Sequence, residues 1–264
     1  MVIRTIPCDD EVRGLTAFRG KLHVLRDASN NQVDIYKMNA EDNNRIYCRH
    51  LTVTDGNFWD ITCSTRDRCM FVSDHVQRLV CNVTIANNVM TTTFCQEPRG
   101  LSMMDNSNLL VTCRSPSTLV MLDRDGFPLD TGSSFCLDGT IQQPWHAVQL
   151  STGNFAVCHG GGPNKLHRVC IVDGSGRILI SFGTRCGSDR LQLNVPCHLA
   201  VDENDFIFVA DCLNERVTLL TPTLNFVHHV IDRMDSRPQR LYLDRGRKHL
   251  YVGQRNGDVL VLEL

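Results

Sequence analysis

Apolar and polar positions alternate along most of this chain, and the 3.6-residue spacing of an amphipathic helix is nearly absent. KLHVL (21–25), RCMFV (68–72), NLLVT (108–112), NFAVC (154–158), FIFVA (206–210) and HLYVG (249–253) read as short strands bounded by Gly, Asp and Asn turns. Each follows another strand and a turn, in RGLTAFRG, WDITCSTRD, RGLSMMDNS, WHAVQLSTG, CHLAVDEND and QRLYLDRGR. Each leads into a third strand, in VDIYKM, RLVCNV, TLVMLD, HRVCIVD, RVTLLT and VLVLEL.

Superposing these units places Val12, Phe58, Pro98, Pro144, Pro196 and Pro238 at one equivalent position, at steps of 46, 40, 46, 52 and 42 residues. An imperfect repeat of this length, made of strands without helix, predicts the blades of a propeller. Six blades of about 44 residues use the whole chain, 1–264. The expected fold is therefore all-β: a six-bladed β-propeller of four-stranded antiparallel blades forming one domain. After VLVLEL the sixth blade lacks an outermost strand, while VIRTI (2–6) is a strand without a blade. Pairing the two removes two free sheet edges at once, so the N-terminal strand is expected to close the ring.

Charge narrows the partners. The 27 basic and 29 acidic residues give a net charge of -2, which supplies no overall field to attract nucleic acid or an anionic membrane. Apolar runs such as FIFVA are far shorter than the roughly 20 residues of a membrane span. Met1 leads into polar and charged residues, not an apolar signal core. The 13 cysteines are odd in number and scattered, and Cys81, Cys158 and Cys170 fall inside apolar strands. There a thiol behaves as a small hydrophobe, so a reducing, cytoplasmic setting is expected. Cys63 and Cys69, flanking one tight turn, are the pair best placed to form a disulfide, and Asn82 heads the one sequon, NVT. No CxxC and no zinc-finger spacing occurs.

The units PCHLAVDENDFIFVADCLNERVTLL and WDITCSTRDRCMFVSDHVQRLV resemble NHL repeats, in which a proline, an apolar strand and an aspartate precede VADxxNxRV. Pro196, Val201, Asp202, Val209, Ala210, Asp211, Asn214, Arg216 and Val217 match that pattern, and Val72, Ser73, Asp74 and Arg78 carry it in the second blade. Elsewhere it is degraded, with Cys113 or Arg114, His159 and Gln254 near the aspartate position. The resemblance, to propellers like those ending tripartite-motif/NHL proteins, implies a six-bladed ring used as a binding platform, in relatives part of a ubiquitin ligase or developmental regulator.

In such a ring, the loops entering the innermost strands and those joining second to third strands share one face around the channel mouth. Loops held by a rigid scaffold are where function is sought. The first residues after the anchors are Arg13, Trp59, Arg99, Trp145, Cys197 and Gln239; the next are Gly14, Asp60, Gly100, His146, His198 and Arg240. The second-to-third-strand loops add Arg26, His75, Arg114, His159, Lys165 and Arg255. Arginine and tryptophan are usual anchors of interfaces and also stack on unpaired bases, although the same residues can serve packing between blades. Asp60, Asp74 and Asp211 dilute the positive charge. His146 and His198, equivalent in neighbouring blades, offer two imidazoles for a divalent metal, with His159 of HGGGPNK as a third, but the simpler reading is backbone-bonded histidines lining the channel. HGGGPNK lacks both GK[ST] and a following helix, so it is no phosphate loop; a flexible loop over the face is expected. Asp211 to Arg216 reads as turn chemistry with an Asp/Arg bridge.

The sequence thus predicts a monomeric, non-catalytic, cofactor-free module. It would recognise a protein or peptide through Arg13, Trp59, Arg99, Trp145 and Arg240, with Arg26, Arg114 and Arg255 at the rim. Single-stranded RNA is the alternative ligand, and a metal-dependent lyase or hydrolase a second alternative.

Overall fold

The computed structural model of the chain describes residues 1–7, 10–27, 32–38, 45–50, 57–64, 69–84, 89–129, 132–162 and 164–264. Six four-stranded antiparallel sheets make up the fold. Their innermost strands are Val12–Phe18, Phe58–Ser64, Pro98–Met103, Pro144–Gln149, Pro196–Val201 and Pro238–Asp244, each starting on the anchor residue of its repeat. Blades 1 to 5 run outward in chain order, and in blade 6 the N-terminal strand Val2–Ile6 pairs with Val259–Glu263 as the fourth strand. The expected closure is therefore present. No helix among the described residues is long and apolar enough to cross a membrane.

The core is divided into six apolar clusters, one at each junction between neighbouring blades. Successive side chains of a strand point to opposite faces. In blade 2, Met70 and Val72 enter the cluster shared with blade 1, and Cys69 and Phe71 the one shared with blade 3. Both faces are covered, so the second strands are apolar throughout, which is why they read most clearly in the sequence. The same alternation separates Cys63 from Cys69. Cys63 lies across from Met70 and packs toward blade 1, Cys69 lies across from Ser64 and packs toward blade 3, and no bond joins them. Their turn, residues 65–68, lies outside the described residues. Asn82 of the sequon is buried and donates to the carbonyl of Asp125, so it is no acceptor site in the folded chain.

The Asp211 to Arg216 segment does more than turn the chain. Arg216 Nε donates to Asp211 Oδ2 at 2.8 Å, and its other nitrogens donate to the carbonyls of Ser188, Asp189 and Gln192. Asn214 donates to Gly187, while Asp211 accepts from the backbone of Asn194. The loop they hold, 183–195, is the one that stretches the step between Pro144 and Pro196 to 52 residues. Blade 1 writes the same ion pair in reverse, with Arg26 on the second strand and Asp34 on the third, 2.6 Å apart and buried.

Because Ile6, the last residue of the closing strand, is 1% exposed, Ile6→Ala is expected to cost about 2–4 kcal/mol in urea denaturation. Deleting residues 1–7 is expected to cost at least as much and, by baring the edge of Val259–Glu263, to produce concentration-dependent association in size-exclusion chromatography.

Candidate functional site

All six blades share an irregularity at the channel mouth. The pairing of innermost with second strand slips between Val12 and Gly14, Phe58 and Asp60, Pro98 and Leu101, Pro144 and His146, Pro196 and His198, and Pro238 and Arg240. A bulge leaves one residue unpaired and re-aims its neighbours. Here it sets two consecutive residues per blade at the mouth: an outer tier of Arg13, Trp59, Arg99 and Trp145, and an inner tier that meets across the channel.

The outer tier is a ladder of alternating guanidinium and indole groups from blades 1 to 4. Arg13 lies 4.5 Å and Arg99 4.2 Å from the Trp59 ring centre. Trp59 and Trp145 are stacked with centroids 6.0 Å apart, and Arg114 lies 4.7 Å from Trp145. His75 meets Trp59 edge-on at 5.2 Å. Each cation–π contact is worth about 0.5–2 kcal/mol depending on desolvation. Carboxylates offset part of the charge: Asp27 and Glu11 on Arg13, and Glu97 between Arg99 and Arg114. Burial, then the neighbouring Arg114, lowers Arg99 to about 10. Nε of Arg13 and Nε of Arg99 are buried without a hydrogen-bond partner. Beside the ladder, between blades 2 and 3, a cleft of about 550 Å³ is lined by His75, Arg78, Gln96, Glu97, Ser115 and Pro116.

The inner tier closes the channel. Arg240, 3% exposed, donates from Nε to the carbonyl of Arg13, from Nη1 to Gln239 and from Nη2 to Trp59, joining blades 6, 1 and 2. Asp60 accepts from the backbone of Ile61 and of Leu101, both at 2.9 Å, and lies 3.5 Å from Arg240 and 3.8 Å from His198 Nε2. His146 and His198 are stacked at 3.7 Å. His146 Nε2 faces the Leu101 carbonyl at 3.3 Å, and the backbone N–H of Leu241 donates to His198 Nδ1. Gly14 and Gly100 complete the tier because nothing larger fits: a Cβ on Gly100 would stand 2.6 Å from the His146 ring. Burial holds both histidines well below their ordinary range, and it raises the Asp60 carboxyl against the opposing pull of Arg240. Below this plug a cavity of about 250 Å³ runs along the innermost strands, past His146 and His198 to Leu243 and Arg245.

The structure therefore divides the expected site residues. Arg13, Trp59, Arg99, Trp145 and Arg114 come together. Arg240 is held in the plug by its carbonyl partners while its guanidinium also lies 5.6 Å from the Trp59 ring centre, and Arg26 is not at the rim, since Asp34, Tyr36 and the Asp10 carbonyl take its guanidinium inside blade 1. Arg255 is exposed. Asp74 and Asp211 are buried loop ties, Asp74 accepting from Val76, Gln77 and Asn57. His159 does not join His146 and His198: its Nε2 accepts from Arg168, and burial followed by Arg168 lowers it to about 3. The third group of that cluster is Asp60, whose equivalence in the repeat was the one signal available. The described residues of HGGGPNK are tied down rather than loose, with Trp145 Nε1 donating to Gly160, Gly161 donating to His167 and Asn164 to Thr140.

Two outcomes test this geometry. Buried neutral histidines bind fewer protons than the unfolded chain below pH of about 6.5, so stability falls as pH drops from 7 to 5, by up to about 1.4 kcal/mol per pH unit for each histidine. Urea midpoints against pH check this, and His159→Gln, which still accepts from Arg168, is expected to give a shallower slope. Gly100→Ala is expected to cost about 1–3 kcal/mol, because the added Cβ presses on the backbone of Trp145 and His146 as well as on the His146 ring.

No protein-family model matches the chain, and no curated protein matches it. Solved structures share its fold. A gluconolactonase from Xanthomonas campestris superposes with a TM-score of 0.75 at 11% identity, over 97% of this chain and 88% of that one. A hydrazine synthase from Kuenenia stuttgartiensis gives 0.69 at 12%, over 97% and 96%. A catalytically inactive His-to-Ala variant of virginiamycin B lyase from Staphylococcus aureus, with quinupristin, gives 0.68 at 11%, over 99% and 98%. At these identities the likeness is one of fold: the chain is a six-bladed β-propeller, and of the NHL resemblance it is the ring that these neighbours share.

Proposed function

We propose that this propeller is a non-catalytic binding module that docks a peptide segment of a protein partner on the Trp59–Arg99–Trp145 ladder and in the adjoining cleft between blades 2 and 3. The observation that carries this reading is the ladder itself: two stacked indoles and three guanidiniums, held rigid by each other at a channel mouth. Aromatic and arginine anchors in partly desolvated settings dominate interface energetics. The partly exposed guanidiniums of Arg13 and Arg114 favour a partner bearing carboxylate or carbonyl acceptors. The cleft places Arg78 and Glu97 on its walls, which suits a segment of mixed charge. Carboxylates already offset the guanidiniums, and the net charge is -2, so the mouth lacks the surplus that backbone phosphates require. The lyase, gluconolactonase and hydrazine synthase likenesses concern fold and bring no activity to this chain.

The test uses a peptide display library and single-stranded RNA homopolymers against the wild type and against Arg114→Glu and Trp145→Ala. Peptides sharing an acidic or mixed-charge core are expected to bind the wild type and to lose at least about 30-fold in affinity with either variant, as hot-spot truncations do. RNA binding that weakens with salt and with Arg114→Glu would transfer the site to RNA. Peptide binding indifferent to both variants overturns the reading.

A further inference from the structure

Beneath the ladder, Asp60, His146 and His198 bring one carboxylate and two imidazoles together from blades 2, 4 and 5, with a ligand atom from each lying within 4.8 Å of the others. We propose that they form a binding site for one divalent transition-metal ion of the zinc type, with an open position toward the channel cavity that takes an anionic ligand. This site does not depend on the mouth being a docking surface.

Two imidazoles and a carboxylate are the donor set of a zinc centre that keeps a fourth position for water or substrate. All three side chains are buried, and His146 Nδ1 has no hydrogen-bond partner. A buried nitrogen is satisfied by a hydrogen bond, an ordered water or a metal ion, and the second imidazole and the carboxylate beside this one favour the metal. Asp60 is already oriented as a ligand would be. Each oxygen accepts one backbone N–H, from Ile61 or from Leu101, and retains a second lone pair. Arg240 does not consume those lone pairs: its Nε donates to the Arg13 carbonyl and stands 3.5 Å from the carboxylate. His198 Nε2 is 3.8 Å from Asp60 Oδ2, slightly wider than the roughly 3.4 Å between neighbouring ligands of a tetrahedral zinc ion.

Metal binding changes the pair of rings in a defined way. An imidazole lone pair lies in the ring plane, whereas His146 and His198 are stacked face to face with a 23° tilt. Loading the ion swings the rings apart so that both planes converge on it, into the cavity of about 250 Å³ alongside; His198 then ligates through Nε2, which places its ring proton on Nδ1 and gives up the hydrogen bond that Nδ1 accepts from Leu241. Charge selects the fourth ligand. Asp60 and Arg240 cancel, so a divalent ion leaves surplus positive charge in a buried place, which is costly unless paired. Hydroxide, or a carboxylate entering along the cavity past Thr16, Thr62 and Ser102, supplies that pairing.

The experiment titrates the chelator-stripped protein with zinc and, separately, with cobalt. One zinc retained per chain after dialysis, a raised unfolding midpoint, and cobalt d–d absorption without thiolate charge-transfer bands are expected. The last readout matters because the chain has 13 cysteines that compete for soft metals. His146→Phe keeps a ring on His198 but removes a ligand, and is expected to weaken zinc binding by more than about 100-fold, beyond what loss of an orienting group costs. A wild type that retains no metal, a thiolate-type cobalt spectrum, or binding unchanged in His146→Phe overturns the proposal. If that variant does not fold, the wild-type stoichiometry and cobalt spectrum decide alone.

Discussion

Everything at the channel mouth hangs on one buried guanidinium. Arg240 reaches from the last blade to the carbonyls of Arg13 and Trp59 in the first two, and it shares the space of Asp60, which in turn holds the backbone of blade 3 and faces His198 of blade 5. Arginine suits this position because its planar fork carries five donors and stays charged when buried. Lysine could not satisfy three carbonyls on different blades. The apolar junctions give the ring its bulk stability, and they would tolerate small rotations of one blade against the next. The polar plug fixes the inner radius, and with it the spacing of the ladder above and of the cavity below.

Much of this was legible in the sequence because it is written locally. Period-two alternation, turn residues and the recurring anchor are short-range signals, and all six anchors begin an innermost strand. The closing strand could be foreseen because the leftover segment and the missing strand were both visible. Side-chain direction at the mouth was not. Arg13 and Arg26 look alike on paper, yet one stacks on Trp59 and the other is buried against Asp34, because the bulge re-aims the first and the pleat turns the second inward. His159 was grouped with His146 and His198 by residue type. The end of a second strand, however, lies behind the innermost strand, where Arg168 meets it. Asp60 stood in the same row of equivalent positions as His146, His198 and Arg240. Its role follows only when that row is bent into a ring and its members face each other.

Two environments therefore lie back to back. Above the plug, indole faces and partly offset guanidiniums are suited to adaptable contact with a chain segment. Below it, a narrow space walled by the innermost strands presents imidazole edges and a few hydroxyl groups. The same four residues wall off one from the other, so a ligand on either side meets the opposite faces of one layer. A shift of that layer is the physical route by which occupancy on one side could be felt on the other.

The N-terminal strand carries a consequence for how the chain is made. Its partners, Val259 to Leu262, follow every other strand of the ring in the chain, so the first strand waits for all of them before it can pair. Until then the ring is an open arc with two unfinished ends. Contacts this remote in sequence are slow to form, and the arc is the species most exposed to wrong pairing. The seam that makes the finished molecule edgeless is thus also the step at which its assembly is most vulnerable.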